Sequence, residues 1–544
     1  GHGSNVQGLE TTATFIPETD EFEIHSPSMT ASKWWAGGLG RTANHAIVVA
    51  RLILKGEDFG THNFIVQIRS MEDHKPLKGI TIGDIGPKYG YETIDNGFML
   101  FDHVRIPRSA LLARFSQVSR DGTYTRPPSS KLSYSTMVFV RARIVADAGR
   151  SLARGVTITT RYSAVRRQFR DPVASASDPF FAEGQPKKGI ETAVLDYPIQ
   201  WRRIALQLST AYALHFASVV VTEMYSDLVA RLKKGDLSTL PEVHAATSGL
   251  KSLSTDMAAA GLEDLRRACG GHGYSEVSGF PQFIANFLPN VTYEGDNYLL
   301  TQQTTRYLLK TFRALKKTPS TKLASLSTSY LAAAAARTPD SPAPRWAVRL
   351  STDLLNSSLV RAAFAHRAGR LVSELATDLD SGSQTWTDSL PDAHRVSRAH
   401  CQLLLVDAFA HALESPAAKK LDAGSRAVLA RLGDLFALST LEAEMGEFVA
   451  DGFVSYQQAK MVRGAVRDAL KELRPNAVAL VDAWGFSDYL LDSALGRADG
   501  KVYETIFEWV SREPLNNGEN YPVVKGYETL YKPLFNAKPA LSKL

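Results

Sequence analysis

The hydrophobic period of the chain changes once, and that change limits the folds open to it. Through the first 112 residues apolar side chains alternate with polar ones, whereas from about residue 135 they recur at helical spacing. The stretch "ETTATFIPETDEFEIHSP" predicts a β-hairpin that turns at Glu18-Thr19-Asp20, and Pro107 marks the end of the strands. A block of strands followed by helices favours an α+β fold over a doubly wound parallel sheet.

The helical part divides where the composition changes after residue 317. Periodicity predicts long helices at 137–169, 195–234, 241–269 and 296–317. The resulting domains are a β domain at 1–112, a helical bundle at 131–317, a linker at 318–344, a helical domain at 345–538 and a tail at 539–544. A β domain packed against a bundle leaves a crevice at the junction where a ligand can bind.

Composition excludes several classes of protein. Only two cysteines, Cys269 and Cys401, occur in 544 residues, so a disulfide framework is excluded and a reducing compartment is favoured. No CxxC or HExxH pattern occurs, and we expect no metal site. No run of about 18 apolar residues predicts a membrane span. The net charge of +6 is too small for this length to indicate nucleic-acid binding.

The segment "NVTYEGDNYLL", residues 290–300, places Glu294 between an aromatic residue and a glycine, just before a predicted helix. A carboxylate with apolar neighbours can act as a base in proton abstraction. It can equally lie near a helix N-terminus and interact favourably with the helix dipole. The local sequence favours the second interpretation, because capping carboxylates are far more common than catalytic ones.

The stretch "KWWAGGLGRTANHAIVVARL" is rich in glycine. Gly37 allows the backbone to approach a ligand closely, and Trp34 or Trp35 can stack on a flat ring. It is neither a P-loop, since the GK[ST] ending is missing, nor a dinucleotide fingerprint, since no GxGxxG opens a helix. The simpler alternative is a glycine turn between two strands.

Two further features accompany the predicted helices. One face of 137–169 carries a stripe of arginines that can bind phosphates or nucleic acid, or that forms a solvated or salt-bridged surface: Arg143, Arg150, Arg154 and Arg161. Later, "ACGGHGYSEVSGF" breaks a helix with Gly270, Gly271 and Gly273, which expose backbone N–H groups. Cys269 has no fixed basic neighbour, so we do not expect it to be a nucleophile.

The last three residues, Ser542-Lys543-Leu544, match the tripeptide that the peroxisomal import receptor reads. Taken in order, the tryptophan pair with its glycine turn, "FDHVRIPR", "YSAVRRQ", "CGGHGY", "TYEGDN", "RPNAVALVDAW" and this ending resemble the peroxisomal acyl-CoA oxidases. The resemblance covers nearly the whole chain. It implies a β-barrel-like middle domain followed by two helical-bundle domains within the α+β class.

The resemblance also implies a reaction and a set of site residues. A fatty acyl-CoA is oxidised to trans-2-enoyl-CoA with FAD as the cofactor, and O2 is reduced to H2O2. The glutamate of the "YEG" motif, Glu294, is then the base, and Asp296 is left to cap the following helix. Gly37 and Trp35 match the flavin-contacting turn.

Other cofactor contacts come across a homodimer in this family. Arg166 matches the arginine that reaches the FAD diphosphate, although its neighbour Arg167 is an alternative. Gly270, Gly271 and Gly273 match the loop near the adenosine part. The expected location is the peroxisome, with import through Ser542-Lys543-Leu544, no nucleic-acid partner and no membrane span.

The family carries a helical domain before the β domain, and a flavin-binding threonine just before the glycine that corresponds to Gly1. We expect this chain to lack both, which would remove one wall of the acyl pocket. Two alternatives follow. An acyl-CoA dehydrogenase would pass electrons to a carrier protein, and an inactive homologue would serve as a binding or scaffold protein.

Overall fold

The structure is a computed structural model that describes residues 3, 5–114, 116–126, 135–169, 191–321, 323, 326–338, 344–516 and 526–536. The strands occupy the first part of the chain: β1 Thr12–Ile16, β2 Glu21–His25, β3 Lys33–Ala36, β4 His45–Leu54, β5 Glu57–Gln67, β6 Ile80–Asp84, β7 Gly97–Phe101, β8 Val104–Pro107, β9 Gln117–Val118 and β10 Tyr124–Thr125. The predicted hairpin is confirmed, because β1 and β2 pair antiparallel with Phe15 opposite Phe22.

The strands form three sheets. The largest has the order β5-β4-β1-β2-β8, the second β3-β7-β6, and the third pairs β10 with β9. Buried alternate residues fill the space between the layers, and the rings of Phe22 and Phe64 pack edge to face at 5.1 Å. The α+β class is confirmed, while the strands of the described residues form no closed barrel.

Helices make up the rest of the described chain. In order they are α1 Ser135–Val165, α2 Pro198–Leu232, α3 Leu240–Ala268, α4 Phe280–Phe287, α5 Asn297–Lys317, α6 Tyr330–Ala335, α7 Ser357–Ser381, α8 Leu390–Glu414, α9 Pro416–Lys419, α10 Ala423–Ala443, α11 Met445–Val449, α12 Tyr456–Leu473, α13 Ala477–Asp482, α14 Asp488–Leu491, α15 Val502–Ser511 and α16 Lys532–Asn536. Residues 170–190 and the tail at 539–544 lie outside the described residues.

Helix α1 ends four residues before the boundary that the periodicity indicates. After Val165 the backbone leaves the helix and pairs with residues 192–194 instead, where Val194 N–H donates to Arg166 O at 2.8 Å and Gln168 N–H to Thr192 O at 3.0 Å. Phe169 then takes a left-handed φ of 55°. A pairing partner more than twenty residues away in sequence cannot be read from local periodicity.

The two helical regions share one hydrophobic core. Its buried residues run from Ala142 to Val502 and include members of every long helix from α1 to α12 except α5. Two donors join the regions directly: Trp201 Nε1 donates to Leu470 O at 2.6 Å, and Tyr212 Oη to Leu480 O at 2.9 Å. The second helical region therefore completes the core of the first.

Part of the arginine stripe of α1 also serves this junction. Arg161 donates to Asp482 at 2.8 Å and to Gly496 O at 2.9 Å, and Arg154 donates to Leu491 O at 2.8 Å. Arg143 and Arg150 are exposed. The contacts of Arg154 and Arg161 therefore support the interpretation of the stripe as a structural, hydrogen-bonded surface and not as a phosphate-binding one.

Helix α2 has the length and hydropathy of a membrane span, but 67% of its apolar window is buried inside the protein. It packs between α1 and α3 and against α8 and α10. Its apolar composition follows from this central position in the helical core.

Because α3 crosses α5 and α8 closely at Gly249, we expect a larger residue at this position to destabilise the protein. A Cβ at this position would lie 2.5 Å from Cys401 Sγ and 2.7 Å from Thr304 Oγ1, whereas a Cβ at Gly464 in α12 would meet nothing within 4 Å. Gly249→Ala should lower the free energy of unfolding by about 1–3 kcal/mol through overpacking. Gly464→Ala is the control and should raise it by up to about 1 kcal/mol. The measurement is the urea unfolding midpoint of each variant. Midpoints that shift by the same amount in Gly249→Ala and Gly464→Ala would contradict this prediction.

Candidate active site

Glu294 lies in the turn that leads into α5. Asp296 is the N-cap of that helix, and its carboxylate accepts from Tyr298 N–H at 3.0 Å, which confirms the predicted capping role. Glu294 takes no part in the cap. Its backbone has a left-handed φ of 55°, followed by 102° at Gly295, and its side chain is exposed in the single chain. None of the described residues forms an ion pair or hydrogen bond with the Glu294 carboxylate.

The backbone of this turn is held by two buried cations that the sequence analysis missed. Arg141, from α1, donates from Nε to Glu294 O at 3.0 Å and from Nη1 to Ser248 Oγ at 3.1 Å. Lys251, from α3, donates from Nζ to Gly295 O at 2.8 Å. The sequence signal was available for Lys251, which is the only Asp, Glu, Lys or Arg between Val243 and Thr255.

The tryptophan turn lies at the edge of the three-stranded sheet. Trp35 occupies a β-bulge between β3 and β7, has a φ of 80°, and is 62% exposed. Asn96 Nδ2 donates to Trp35 O at 2.6 Å. Bulges next to functional sites re-aim a side chain, and this one presents the indole to solvent. A Cβ on Gly37 would lie 3.4 Å from Ile94 Cγ2, so the turn rests on the loop 85–96.

The same loop connects the tryptophan turn to the Glu294 segment. Tyr91 N–H donates to Asn286 Oδ1 at 2.7 Å. A Cβ on Gly90 would lie 2.7 Å from the carbonyl of Ala285, so the loop packs directly on α4. Burial, with Tyr91 nearby, raises the pKa of Tyr293 to about 12. Glu294, Trp35 and Gly37 therefore border the predicted junction between the strands and the bundle.

A second group of predicted residues lines a cavity of about 640 Å³. Arg166, Gly270 and Gly271 contribute to its wall together with Tyr162, Gln200 and His272. A Cβ on Gly270 or Gly271 would meet nothing within 4 Å, so both glycines leave free space beside exposed backbone. Gly273 does not line the cavity. It is buried, and a Cβ there would overlap Arg266 O.

The structure distinguishes the two adjacent arginines. Arg166 lines the cavity, where Nη1 donates to Tyr503 Oη at 3.0 Å and Nη2 to Gln168 Oε1 at 2.7 Å. Arg167 is exposed, donates to Glu191 O at 2.9 Å, and is not part of the cavity wall. Arg166 is thus the arginine positioned to contact a ligand in this cavity.

Two other groups carry side chains of the kinds that act as nucleophiles or metal ligands. Cys269 is buried, and burial raises the pKa of its thiol to about 12, so it remains a neutral core side chain. Within the described ranges, one group has metal-ligand spacing, namely His25, Asp102 and His103, with ligand atoms within 4.8 Å of one another. Its imidazoles stack at 4.0 Å and His103 lies 3.1 Å from Glu23, as in a polar surface cluster.

The two groups of site residues lie at different levels of α3, one beside its middle and one at its C-terminal end. Lys251 contacts the Glu294 turn, and Ala268 lines the cavity. At 1.5 Å per residue, the helix between them spans roughly 25 Å. One chain therefore presents two separate half-sites.

Comparisons with known proteins place the chain among acyl-CoA oxidases. The family model described as "Acyl-CoA oxidase, C-alpha1 domain" matches residues 134–309, and the model "Acyl-CoA oxidase" matches residues 356–536. The peroxisomal acyl-coenzyme A oxidase 1 of Arabidopsis thaliana is 44% identical, over 100% of this chain and 79% of its own length.

Two crystal structures show the same fold. The acyl-CoA oxidase LeACX1 from tomato superposes with a TM-score of 0.90 at 42% identity, covering 98% of this chain and 79% of the other. Acyl-CoA oxidase-1 of Caenorhabditis elegans, complexed with FAD and ATP, superposes with a TM-score of 0.86 at 37% identity, covering 98% of this chain and 76% of the other.

Proposed function

The chain belongs to the acyl-CoA oxidase family, and we propose that its two half-sites carry out the reaction of that family. It is an FAD-dependent peroxisomal enzyme that oxidises fatty acyl-CoA to trans-2-enoyl-CoA with formation of H2O2, the first step of peroxisomal β-oxidation. The β region 1–112 and the bundle 131–317 provide the site residues. The region 345–538, joined through 318–344, supports the bundle through the shared core.

The residues present suit FAD. Exposed Trp35 offers a flat apolar surface for a ring system, and Gly37 lies in an open turn beside it. The cavity provides what a diphosphate and a nucleoside require: the Arg166 guanidinium, and unobstructed backbone at Gly270 and Gly271. When bound there, FAD would supply the acceptor for the hydride from the substrate β-carbon and the means of passing the electrons to O2.

Glu294 is the residue that we propose as the base. Its carboxylate forms no hydrogen bond or ion pair with the described residues, whereas the neighbouring Asp296 carboxylate is engaged by the helix cap. The free oxygens of Glu294 can accept the α-proton of an acyl-CoA, forming a carboxylic acid as the α-carbon gains enolate character. The unpartnered carboxylate at the junction is the observation that carries this assignment.

We expect Glu294→Gln to abolish most of the turnover while the protein still binds FAD. The amide keeps the size of the side chain but cannot accept a proton, and loss of a positioned base costs about 10²–10⁴-fold. H2O2 formation from acyl-CoA and the visible flavin absorbance would be measured together. Glu223→Gln, at an exposed glutamate of α2, is the matched control. Near-normal H2O2 formation by the Glu294 variant would remove this residue as the base.

We also propose a homodimer in which each active site uses both chains. Support comes from the roughly 25 Å that α3 places between the two half-sites of one chain. In a two-fold symmetric dimer, the cavity of each subunit can lie beside the Glu294 junction of the other subunit, which gives two equivalent active sites. Arg166, Gly270 and Gly271 of one subunit would then hold the adenosine and diphosphate parts of FAD in an active site whose base comes from the other subunit.

This arrangement predicts complementation between two inactive chains. A heterodimer of a Glu294→Gln chain and an Arg166→Ala chain, isolated with two different affinity tags, has one site in which both half-sites are intact. It should form H2O2 well above either parent homodimer, and its flavin content should exceed that of the Arg166→Ala homodimer. A heterodimer no more active than its parents would contradict the shared site.

The C-terminal tripeptide Ser542-Lys543-Leu544 lies outside the described residues, and we propose that it binds the peroxisomal import receptor. Deletion of these three residues should move the protein to the cytosol without changing its specific activity. Lys538→Ala removes a charge just before the tail but leaves the tripeptide intact, and should not change the location. Peroxisomal fluorescence of the truncated chain would show that the tripeptide is dispensable.

A further inference from the structure

Lys251 is an unusual lysine because it is fully buried. Its relative exposure is 0% in the middle of α3, among small and apolar residues. Burial lowers the pKa of its ammonium to about 8, and the neighbouring charge of Arg141 acts in the same direction. A charge is rarely buried at such a cost unless its hydrogen bonds serve the fold or the site.

Those hydrogen bonds all reach the segment that carries Glu294. Lys251 Nζ donates to Gly295 O at 2.8 Å and to Asn297 Oδ1 at 2.9 Å. Asn297 is itself buried and fixed, because Nδ2 donates to Asp256 Oδ1 at 2.7 Å and to Thr255 Oγ1 at 2.9 Å. One ammonium thus ties the turn, the first residue of α5 and helix α3 together.

The turn needs such a restraint. Glu294 has a φ of 55°, a left-handed conformation that a residue with a Cβ adopts at an energetic cost. Gly295 follows at 102°, and a Cβ there would lie 2.7 Å from Leu300 Cδ2, so the chain has little room to relax toward α5. Interactions elsewhere must therefore keep this backbone in place.

We infer that Lys251 is a positioning residue for the catalytic base: by binding Gly295 O and Asn297, it fixes the left-handed turn that directs the Glu294 carboxylate into the junction. This inference rests on the assignment of Glu294 as the base. Lys251 itself is enclosed by protein and does not touch the substrate. Arg141 holds the preceding carbonyl, Glu294 O, so the two cations act on consecutive peptide groups.

The test is Lys251→Met in the full-length chain, since methionine is similar in length and lacks the donor. We expect kcat to fall at least about tenfold, because a small displacement of a catalytic group is costly. KM should change less than about twofold, since no substrate contact is removed. The kinetic isotope effect with α-deuterated acyl-CoA should increase, and amide hydrogen exchange at 292–297 should accelerate while that of α2 stays unchanged.

Lys310→Met is the matched control, because Lys310 is exposed on α5, the same helix that begins at Asn297. It should leave all four measurements unchanged. If Lys251→Met does not fold, Lys251→Gln, which keeps one donor, should give the same pattern to a smaller extent. Loss of folding by both variants would assign Lys251 to general stability and overturn the positioning role.

Two results separate this inference from the assignment of Glu294. An unchanged kcat and unchanged exchange at 292–297 in Lys251→Met would refute the role of Lys251 while leaving Glu294 as the base. Full turnover by Glu294→Gln would refute the base, and the exchange measurement would then still report whether Lys251 holds the turn. A fall in kcat that is accompanied by faster amide exchange throughout the protein, and not only at 292–297, would also contradict a specific positioning role.

Discussion

The packing of helix α3 is the constraint on which both half-sites depend. The helix crosses α1, α2 and α5, and small residues such as Gly249 and Gly261 let its neighbours approach closely. The middle of the helix presents Lys251 to the Glu294 turn, and its C-terminal end leads to Gly270 and Gly271 in the cavity wall. A close-packed helix fixes the separation of these two places, because it cannot bend without opening its contacts.

Backbone conformations with positive φ recur at the proposed site. They occur at Trp35 in the β-bulge, at Phe169 beside the cavity and at Glu294 in the turn before α5. Such conformations persist only where surrounding contacts hold them. Here those contacts are Asn96 at the Trp35 carbonyl and two buried cations at the Glu294 turn. The strained residues and their restraints therefore coincide with the residues that we propose for the flavin and the base.

The second helical region contributes to the site indirectly. It shares the core of the first region, and its polar contacts with α1 involve Arg154 and Arg161. In addition, Tyr503 from α15 accepts a hydrogen bond from Arg166 and so helps to orient the guanidinium in the cavity. The second helical region therefore reaches the cavity through α1 and through the bond between Tyr503 and Arg166.

The sequence alone determined the α+β class, the first hairpin, the approximate helices and the cap at Asp296, because periodicity and capping depend on residues close together in the chain. The order of its motifs also identified the family. Only the tertiary structure placed Arg166 rather than Arg167 in the cavity wall, separated Gly273 from the cavity, and brought Arg141 and Lys251 to the Glu294 turn. The contacts of Arg166, Arg141 and Lys251 join residues 44 to 337 positions apart, which no local pattern encodes.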